Sequence, residues 1–256
     1  SKLNVIILKM SDKKTVVVTS AVRTAIGSLG GTLKNIPAHK LGSAVILGAI
    51  KKSNLKTSDI NEIIMGQVLT GGAGQNPARQ ASMDSGIPKE TPSYVVNQVC
   101  GSGLRSIASG FHSILSNNSN IVIAGGQESM SQAPHVIHLR NGKKLGDTEL
   151  IDSMIKDGLW DAFNGYHMGI TAENVAQQFQ VTRKDQDKFA FDSQTKALKA
   201  QKENKFNDEI IPFTIKLKKG SATFKKDEHP REGISMEALE RLKTAFQKDG
   251  TVTAGN

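Results

Sequence analysis

The sequence predicts an α/β fold, a mostly parallel sheet covered by helices, with a smaller α+β module after it. Three observations carry this. Short β-branched runs alternate with segments of helical period from Thr15 to Ala124, the pattern of parallel strands joined through crossover helices. That rhythm stops at Ser131, and loops, a long polar helix and a hairpin pattern replace it. The 256 residues are 38% apolar before the 24 glycines are counted, enough to bury the core of one large domain or two modest ones.

Residues 1–14 read as a leader, with Lys2, Lys9, Lys13 and Lys14 among polar residues and Met10 a candidate start. Thr15–Ala21 (TVVVTSA) is short, continuous and β-branched, and predicts a buried strand. Leu41 to Ile50 has helical spacing, with Leu41, Ala44, Val45, Gly48 and Ala49 on one side. Thr57-Ser58-Asp59 predicts a cap before a short helical turn, and Ile63–Met65 the next strand. Pro77 to Ser85 predicts a helix with Asn76 as cap and Pro at the first position. Tyr94–Val99 predicts a strand, Ser102–Ser116 a helix and Asn120–Ala124 a strand. No internal repeat is evident.

The helix after Cys100 has two faces. Leu104, Ile107, Ala108, Phe111, Ile114 and Leu115 fall within a stripe about 120° wide. The opposite face carries Ser102, Gly103, Ser106, Ser109, Gly110 and Ser113, small residues where a surface helix normally shows Lys and Glu. The expectation is a helix buried on both sides, between two layers.

In the second part, Ser131 to Gly158 is loop-rich. Thr182-Arg-Lys-Asp185 matches a capping box with Asp in place of Glu, and opens a helix to about Asn204. Glu209–Leu217 and Ser221–Phe224 flank Lys218-Lys219-Gly220 as a β-hairpin, and Ser235 caps a helix expected from Met236 to about Phe246.

Composition excludes several classes of function. The net charge of +9, from 33 basic and 24 acidic residues, attracts anions. Aromatics are only 5% of the chain, which leaves few stacking platforms, so no nucleic-acid partner is expected. A single Cys rules out an intrachain disulfide and a Cys-rich zinc site, and no metal is expected. Leu3–Leu8 is shorter than the ~7 residues of a signal-peptide core, and no Arg precedes Arg23. No apolar run approaches the ~18 residues of a membrane span. A cytoplasmic protein with no membrane partner is therefore expected. Between Thr214 and Arg231, Lys216, Lys218, Lys219, Lys225, Lys226 and Arg231 outweigh Asp227 and Glu228. Such a run is either a solvated hairpin face or a seat for a nucleotide phosphate.

The one cysteine lies in Gln98-Val-Cys100-Gly-Ser-Gly103, between an expected strand and an expected helix. Backbone N–H groups and the positive dipole end at a helix N-terminus favour an anion, and a thiol held there is a better nucleophile. A lone Cys is usually a small buried hydrophobe, but this strand–turn–helix setting with two glycines matches the elbow that presents a nucleophile. As a dinucleotide fingerprint Gly101-x-Gly103 fails, because Ser106 takes the third place and no acid lies about 20 residues on. Gly72-Ala-Gly74 fails similarly, with Pro77 in the third place.

Five segments are more specific: Gly71–Gln80 (GGAGQNPARQ), Asn97–Gly103 (NQVCGSG), Ala124–Ser131 (AGGQESMS), His167–Asn174 (HMGITAEN) and Asp249–Asn256 (DGTVTAGN). Together they resemble the thiolase family, in its biosynthetic, acetoacetyl-CoA type, from about Val16 to Asn256. The resemblance implies a βαβαβαββ half of a five-layer αβαβα sandwich with an inserted α+β loop domain. The domains would be 15–130, the N-terminal domain, and 131–256, the coenzyme A-binding loop domain. It implies that Cys100 accepts the acyl group, and that Leu159, His167, Met168, Arg231, Phe246 and Ala254 line the coenzyme A and pantetheine channel. Ala238 stands where relatives often have Ser. Coenzyme A thioesters would be substrates, with no further cofactor, and the complete enzyme a homo-oligomer, dimer or tetramer.

Family members run about half as long again. The resemblance puts the C-terminal half beyond Asn256, and with it the activating Gly-His-Pro histidine, the Asn–Glu loop and a second, acid/base Cys. The implied reaction is the reversible Claisen condensation of two acetyl-CoA to acetoacetyl-CoA, with the 256 residues alone expected to be inactive. The alternative is a non-catalytic remnant that binds coenzyme A or a partner chain. A condensing enzyme acting on carrier-bound acyl chains is disfavoured by the coenzyme A-type loop domain.

Overall fold

The computed structural model describes residues 15–256, so the leader expected at 1–14 lies outside the described residues. Helix α1 (Ala38–Lys52) is followed by β1 (Glu62–Gly66), α2 (Pro77–Asp84), β2 (Ser93–Val96), α3 (Ser102–Leu115) and β3 (Val122–Gly126). The three strands form a parallel sheet in the order β2-β1-β3, as the alternation predicts. The Asn76 side chain accepts the Arg79 N–H at 3.1 Å ahead of Pro77, so that cap is as expected. Thr57–Asp59 does not precede a helical turn but is itself a 3-10 turn, because Asp59 takes the Lys56 N–H at 2.8 Å.

The pleat sorts the side chains into two faces. Ile63 and Met65 of β1, with Val95 and Ile123 beside them, meet Ile46 and Ile50 of α1 and Ala78 and Ala81 of α2. Ile46 and Ile63 are 0% exposed, and burying each such side chain contributes about 1.5–3 kcal/mol. Glu62, Ile64 and Gly66 take the other face, under α3. A Cβ on Gly66 would lie 2.4 Å from the Ser102 carbonyl carbon, so only glycine lets the start of α3 rest on the end of β1. The result is three layers: α1 and α2, the sheet, then α3.

Helix α3 corrects the sequence reading. Its small face packs on the sheet, with Ser102, Ser106 and Gly110 buried and Ser106 Oγ donating to the Gly125 carbonyl at 2.6 Å. Its apolar stripe points away, with Leu104 74% and Phe111 44% exposed. Burial on both sides is not found among the described residues. Small residues let the helix backbone approach the strands closely, and that approach turns the larger side chains outward.

The strand expected at Thr15–Ala21 is also absent. The segment joins no ladder, and Val17 and Val18 are 69% and 81% exposed. Val16–Thr24 and β3 both line a cavity of about 560 Å³, and the sheet takes no fourth strand among the described residues. The strand expected over Tyr94–Val99 stops at Val96, because Val99 turns to φ +49° and gives its N–H to Asn97 Oδ1 at 2.9 Å. The strand expected from Asn120 starts at Val122, because Asn61 Oδ1 takes the N–H groups of Asn120 and Ile121 at 3.0 Å each.

Beyond β3 come two short antiparallel pairs, β4 (His135–Val136) with β5 (Ile151–Asp152) and β6 (Trp160–Asp161) with β7 (Tyr166–His167). A π-helical segment, Met154–Leu159, lies between β5 and β6. Helix α4 (Met168–Phe179) leads to α5 (Arg183–Lys202), which opens on the expected Thr182/Asp185 capping box. Strands β8 (Phe213–Lys216) and β9 (Ser221–Phe224) form the expected hairpin. Its Ile215 and Phe224 share a core with Ala25 and Leu33. Arg23 fastens the same region, reaching Asp227 through Nη1 at 2.7 Å and Nη2 at 3.0 Å and Glu209 through Nε at 2.7 Å.

Helix α6 (Met236–Glu240) has the expected Ser235 cap but stops well before Phe246. Arg183 Nη2 takes the carbonyls of Leu239 at 2.7 Å and Leu242 at 3.0 Å, which would otherwise serve the next helical turn. The chain then enters a second hairpin, in which Thr244 bridges Thr253 and the Ala245 N–H meets the Val252 carbonyl at 2.9 Å.

Candidate active site

Cys100 is exposed on the turn between β2 and α3, where the sequence places it. The turn is held by short-range bonds. Ser102 Oγ donates to the Val99 carbonyl at 2.6 Å and accepts the Gln98 N–H at 2.8 Å, and the Gly101 N–H closes on the Gln98 carbonyl at 3.1 Å. Val99, β-branched and at φ +49°, sits in a region such residues avoid; strain of this kind costs on the order of 1–3 kcal/mol and collects at functional turns. The guanidinium of Arg105, one turn into α3, is anchored on Gln98 Oε1 at 2.5 Å beside the thiol turn. The turn lies at the carboxyl ends of the parallel strands, the edge where open α/β sheets bind ligands.

The loops after β1 and β3 are tied together at that edge. Gln127 Nε2 donates to Gln67 Oε1 at 2.9 Å, and the Glu128 carboxylate accepts the N–H groups of Val68 at 2.8 Å and Leu69 at 3.2 Å. Burial lifts Glu128 above the usual carboxylate range, against the opposing pull of these two N–H groups. A Cβ on Gly158 would lie 3.6 Å from Leu69, so the π-helical segment ending at Leu159 rests on the same edge.

Four of the expected channel residues come together. Leu159 adjoins Trp160, which stands opposite His167 in the β6–β7 pair. His167 caps α4, its Nδ1 accepting the Gly169 N–H at 2.9 Å, and Met168 is the first residue of that helix. The imidazole stacks on Phe246 with ring centroids 4.7 Å apart and planes 21° from parallel. Phe246 lies so close over Gly169 that a Cβ there would be 2.2 Å from the ring. Ala254 is exposed at the end of the same hairpin. No hydrogen bond, ion pair or ring contact among the described residues joins Cys100 or Arg231 to this cluster. No group of three metal-ligating side chains occurs among the described residues.

Arg231 is exposed, its N–H bonded to Gln194 Oε1 at 2.9 Å and its guanidinium in no ion pair among the described residues. The acids of the basic stretch turn inward. Asp227 pairs with Arg23, and Glu228 accepts the Ser28 N–H at 2.7 Å together with the Thr32 N–H and hydroxyl. Lys216, Lys218, Lys219 and Lys225 remain exposed on the outer side. The face is more positive towards solvent than its sequence count suggests, and suits a phosphate.

Sequence reasoning missed the acids that hold the site. Glu173, within the His167–Asn174 motif, is 6% exposed and accepts four hydrogen bonds from Thr251 and Val252. Asp187, at 0% exposure, accepts from Arg183 Nε at 2.8 Å and Asn256 Nδ2 at 2.7 Å. The only signal in the sequence was that each lies in a helix whose partner segment, Asp249–Asn256, is another of the quoted motifs.

Comparison with known proteins gives one family. The model of the thiolase N-terminal domain matches residues 16–256. Acetyl-CoA acetyltransferase of Rhizobium meliloti (strain 1021) is 52% identical over 241 residues, which is 94% of this chain and 61% of the relative. The protein of the same name from Shinella zoogloeoides is 52% identical over 240 residues, with the same coverage. The crystal structure of the Bacillus anthracis acetyl-CoA acetyltransferase superposes with a TM-score of 0.91 at 39% identity, covering 94% of this chain and 61% of that one. The chain thus spans 61% of the length of these relatives.

Proposed function

The chain belongs to the thiolase family, and from that premise we propose that it carries the acyl-accepting and coenzyme A-binding parts of an acetyl-CoA acetyltransferase. The observation that carries the proposal is the exposed Cys100 on a strained strand-to-helix turn at the carboxyl edge of the sheet. In the first half-reaction the Cys100 thiolate attacks the thioester carbonyl carbon. The carbon–sulfur bond to coenzyme A breaks, coenzyme A leaves as its thiolate and takes up a proton, and the acetyl group remains on Cys100 as a thioester. In the second, an acetyl-CoA that has given an α-proton to a base attacks the acetyl carbon. A carbon–carbon bond forms, Cys100 thiolate leaves, and acetoacetyl-CoA is released.

Leu159, His167, Met168, Phe246 and Ala254 would line the thioester channel. Arg231 and the lysines of the β8–β9 face would meet the nucleotide phosphates. The substrate would be the only coenzyme A species needed, with no metal or redox cofactor. A homo-oligomer is part of the same reading, supported by the exposed stripe of Leu104, Ile107, Phe111 and Leu115. None of the six His stands in a Gly-His-Pro context, so none is an obvious activator of the Cys100 thiol, and no second Cys is present to serve as acid/base. The 256 residues alone are expected not to turn over.

Two measurements on this chain test the proposal. Calorimetry should show coenzyme A binding that weakens with salt, is reduced by Arg231→Ala, and exceeds that of a pantetheine lacking the nucleotide. Equal affinity for the two would remove the phosphate seat from the reading. Acetoacetyl-CoA cleavage should be absent. Robust cleavage lost in Cys100→Ala would mean that these residues hold a base the reading does not include.

A further inference from the structure

The His167–Phe246 stack belongs to two elements that no sequence contact obliges to meet. His167 caps α4, whereas Phe246 rides on the hairpin spanning 244–253. Across the hairpin, the Thr244–Thr253 bridge, the Ala245-to-Val252 bond at 2.9 Å and the Gly250-to-Gln247 bond at 3.1 Å tie its two arms. Its returning arm is fixed to α4 by one side chain. Glu173 Oε1 accepts the N–H groups of Thr251 and Val252, both at 2.8 Å, and Oε2 accepts the Thr251 N–H at 2.9 Å and its hydroxyl at 2.8 Å. A Cβ on Gly250 would lie 2.4 Å from Glu173 Oε1, so the backbone there is pressed against the carboxylate. Glu173 is 6% exposed and has no cationic partner among the described residues. Its entire charge is met by that one segment.

We propose that Glu173 is the positioning residue of the coenzyme A channel: through Thr251 and Val252 it sets the hairpin that holds Phe246 on His167 and carries Ala254. The role rests on the channel assignment given under the proposed function, and touches neither substrate nor Cys100. Three donors making four hydrogen bonds on one buried carboxylate leave no acceptor to spare, so the hairpin has one seating on α4. Asn256 supports it from the far side, donating through Nδ2 to Asp187 at 2.7 Å and to the Thr251 carbonyl at 3.1 Å.

The test uses Glu173→Gln and Thr251→Val in the whole 256-residue chain. Glu173→Gln keeps the shape but points an N–H₂ group at the N–H groups it should receive. Thr251→Val removes the hydroxyl's bond to Glu173 Oε2 and the one it accepts from Gln186 Nε2, both at 2.8 Å, and leaves the backbone bonds in place. Two quantities are read: coenzyme A affinity by calorimetry, and the NMR shifts of the His167 ring protons, which the stacked Phe246 displaces. Glu173→Gln should weaken coenzyme A about tenfold, the cost of leaving buried donors unmet. The His167 ring protons should move towards unstacked values while the α1–α3 methyl resonances stay in place. Thr251→Val should move both quantities in the same direction by a smaller amount. Affinity within twofold of the parent, or weaker affinity with the His167 shifts unchanged, overturns the proposal. Should Glu173→Gln fail to fold, unchanged His167 shifts in Thr251→Val overturn it alone. Should the parent bind no coenzyme A, the proposed function fails, while the His167 shifts still decide whether Glu173 sets the stack.

Discussion

Asp227→Asn isolates the charge that joins the start of the described chain to the β8–β9 hairpin. Asp227 is 9% exposed, receives both Nη atoms of Arg23, and takes the Ile26 N–H at 2.7 Å. The Asn amide has the same shape but one acceptor fewer, and its N–H₂ must face either Arg23 or Ile26. The guanidinium keeps Glu209 at 2.7 Å and its side chain is 30% exposed, so water reaches it. The cost therefore falls below the ~3–5 kcal/mol of breaking a fully buried pair and above the ~0–1 kcal/mol of a surface pair. About 2–3 kcal/mol is expected, or roughly 5–10 °C in melting temperature at this chain length. Calorimetry and urea unfolding at pH 7 measure it. Burial works to raise the Asp227 carboxyl, but Arg23 and the Ile26 N–H prevail and hold it below the usual carboxylate range. A lowered folded value adds stability above the unfolded carboxylate value of about 4, and that stability is lost as pH falls through the folded value. Parent and variant should therefore converge in strong acid. A loss under about 1 kcal/mol at pH 7, or a gap that persists in acid, would refute the reasoning.

Acid should unfold the chain through three carboxylates at once. In Glu173 and Glu228, as in Asp227, burial opposes ionisation but hydrogen bonds outweigh it and hold the group low, so the urea midpoint should stay level from neutral pH to about 5 and fall below about 4. Glu128 acts in the opposite sense. Burial raises it, so its ionisation removes stability as pH climbs through the folded value, and Glu128→Gln should flatten that branch of the pH profile. Gly169→Ala places a Cβ where Phe246 stands; a loss of about 1–3 kcal/mol is expected, together with an unstacked His167 by NMR. Leu104→Gln with Phe111→Gln should lower self-association in sedimentation runs with little change in melting temperature, because both side chains are exposed.

Most of the sheet region could be read from the sequence because local signals and tertiary packing agree there. Asn76 before Pro77 marks a helix start, and Ile63–Met65 is a strand whose two faces are both covered. The reading failed where an element depends on something distant. Nothing near Thr15–Ala21 says that the segment joins no strand. Nothing near Leu239 says that Arg183, more than fifty residues earlier, takes the carbonyls that would continue α6. On α3 the periodicity holds but the burial expected on both sides does not, because a helical stripe shows which residues share a face without saying what covers it. Cys100 could be found from local chemistry, a thiol between a strand and a glycine-rich helix start. His167 and Phe246 came only through the family resemblance, since a stack across 79 positions leaves no periodic trace. Glu173 and Asp187 were passed over because an acid in a polar helix looks solvated until its partners are seen.

Acetyl transfer to Cys100 tests the central claim most directly. The chain is incubated with acetyl-CoA, its intact mass is recorded, and the adduct is mapped by peptide mass spectrometry, with Cys100→Ala alongside. The account predicts one acetyl group per chain on the peptide holding Cys100, an equal amount of free coenzyme A, and neither in the variant. An unmodified chain at saturating acetyl-CoA, or an adduct that persists in Cys100→Ala, would contradict it.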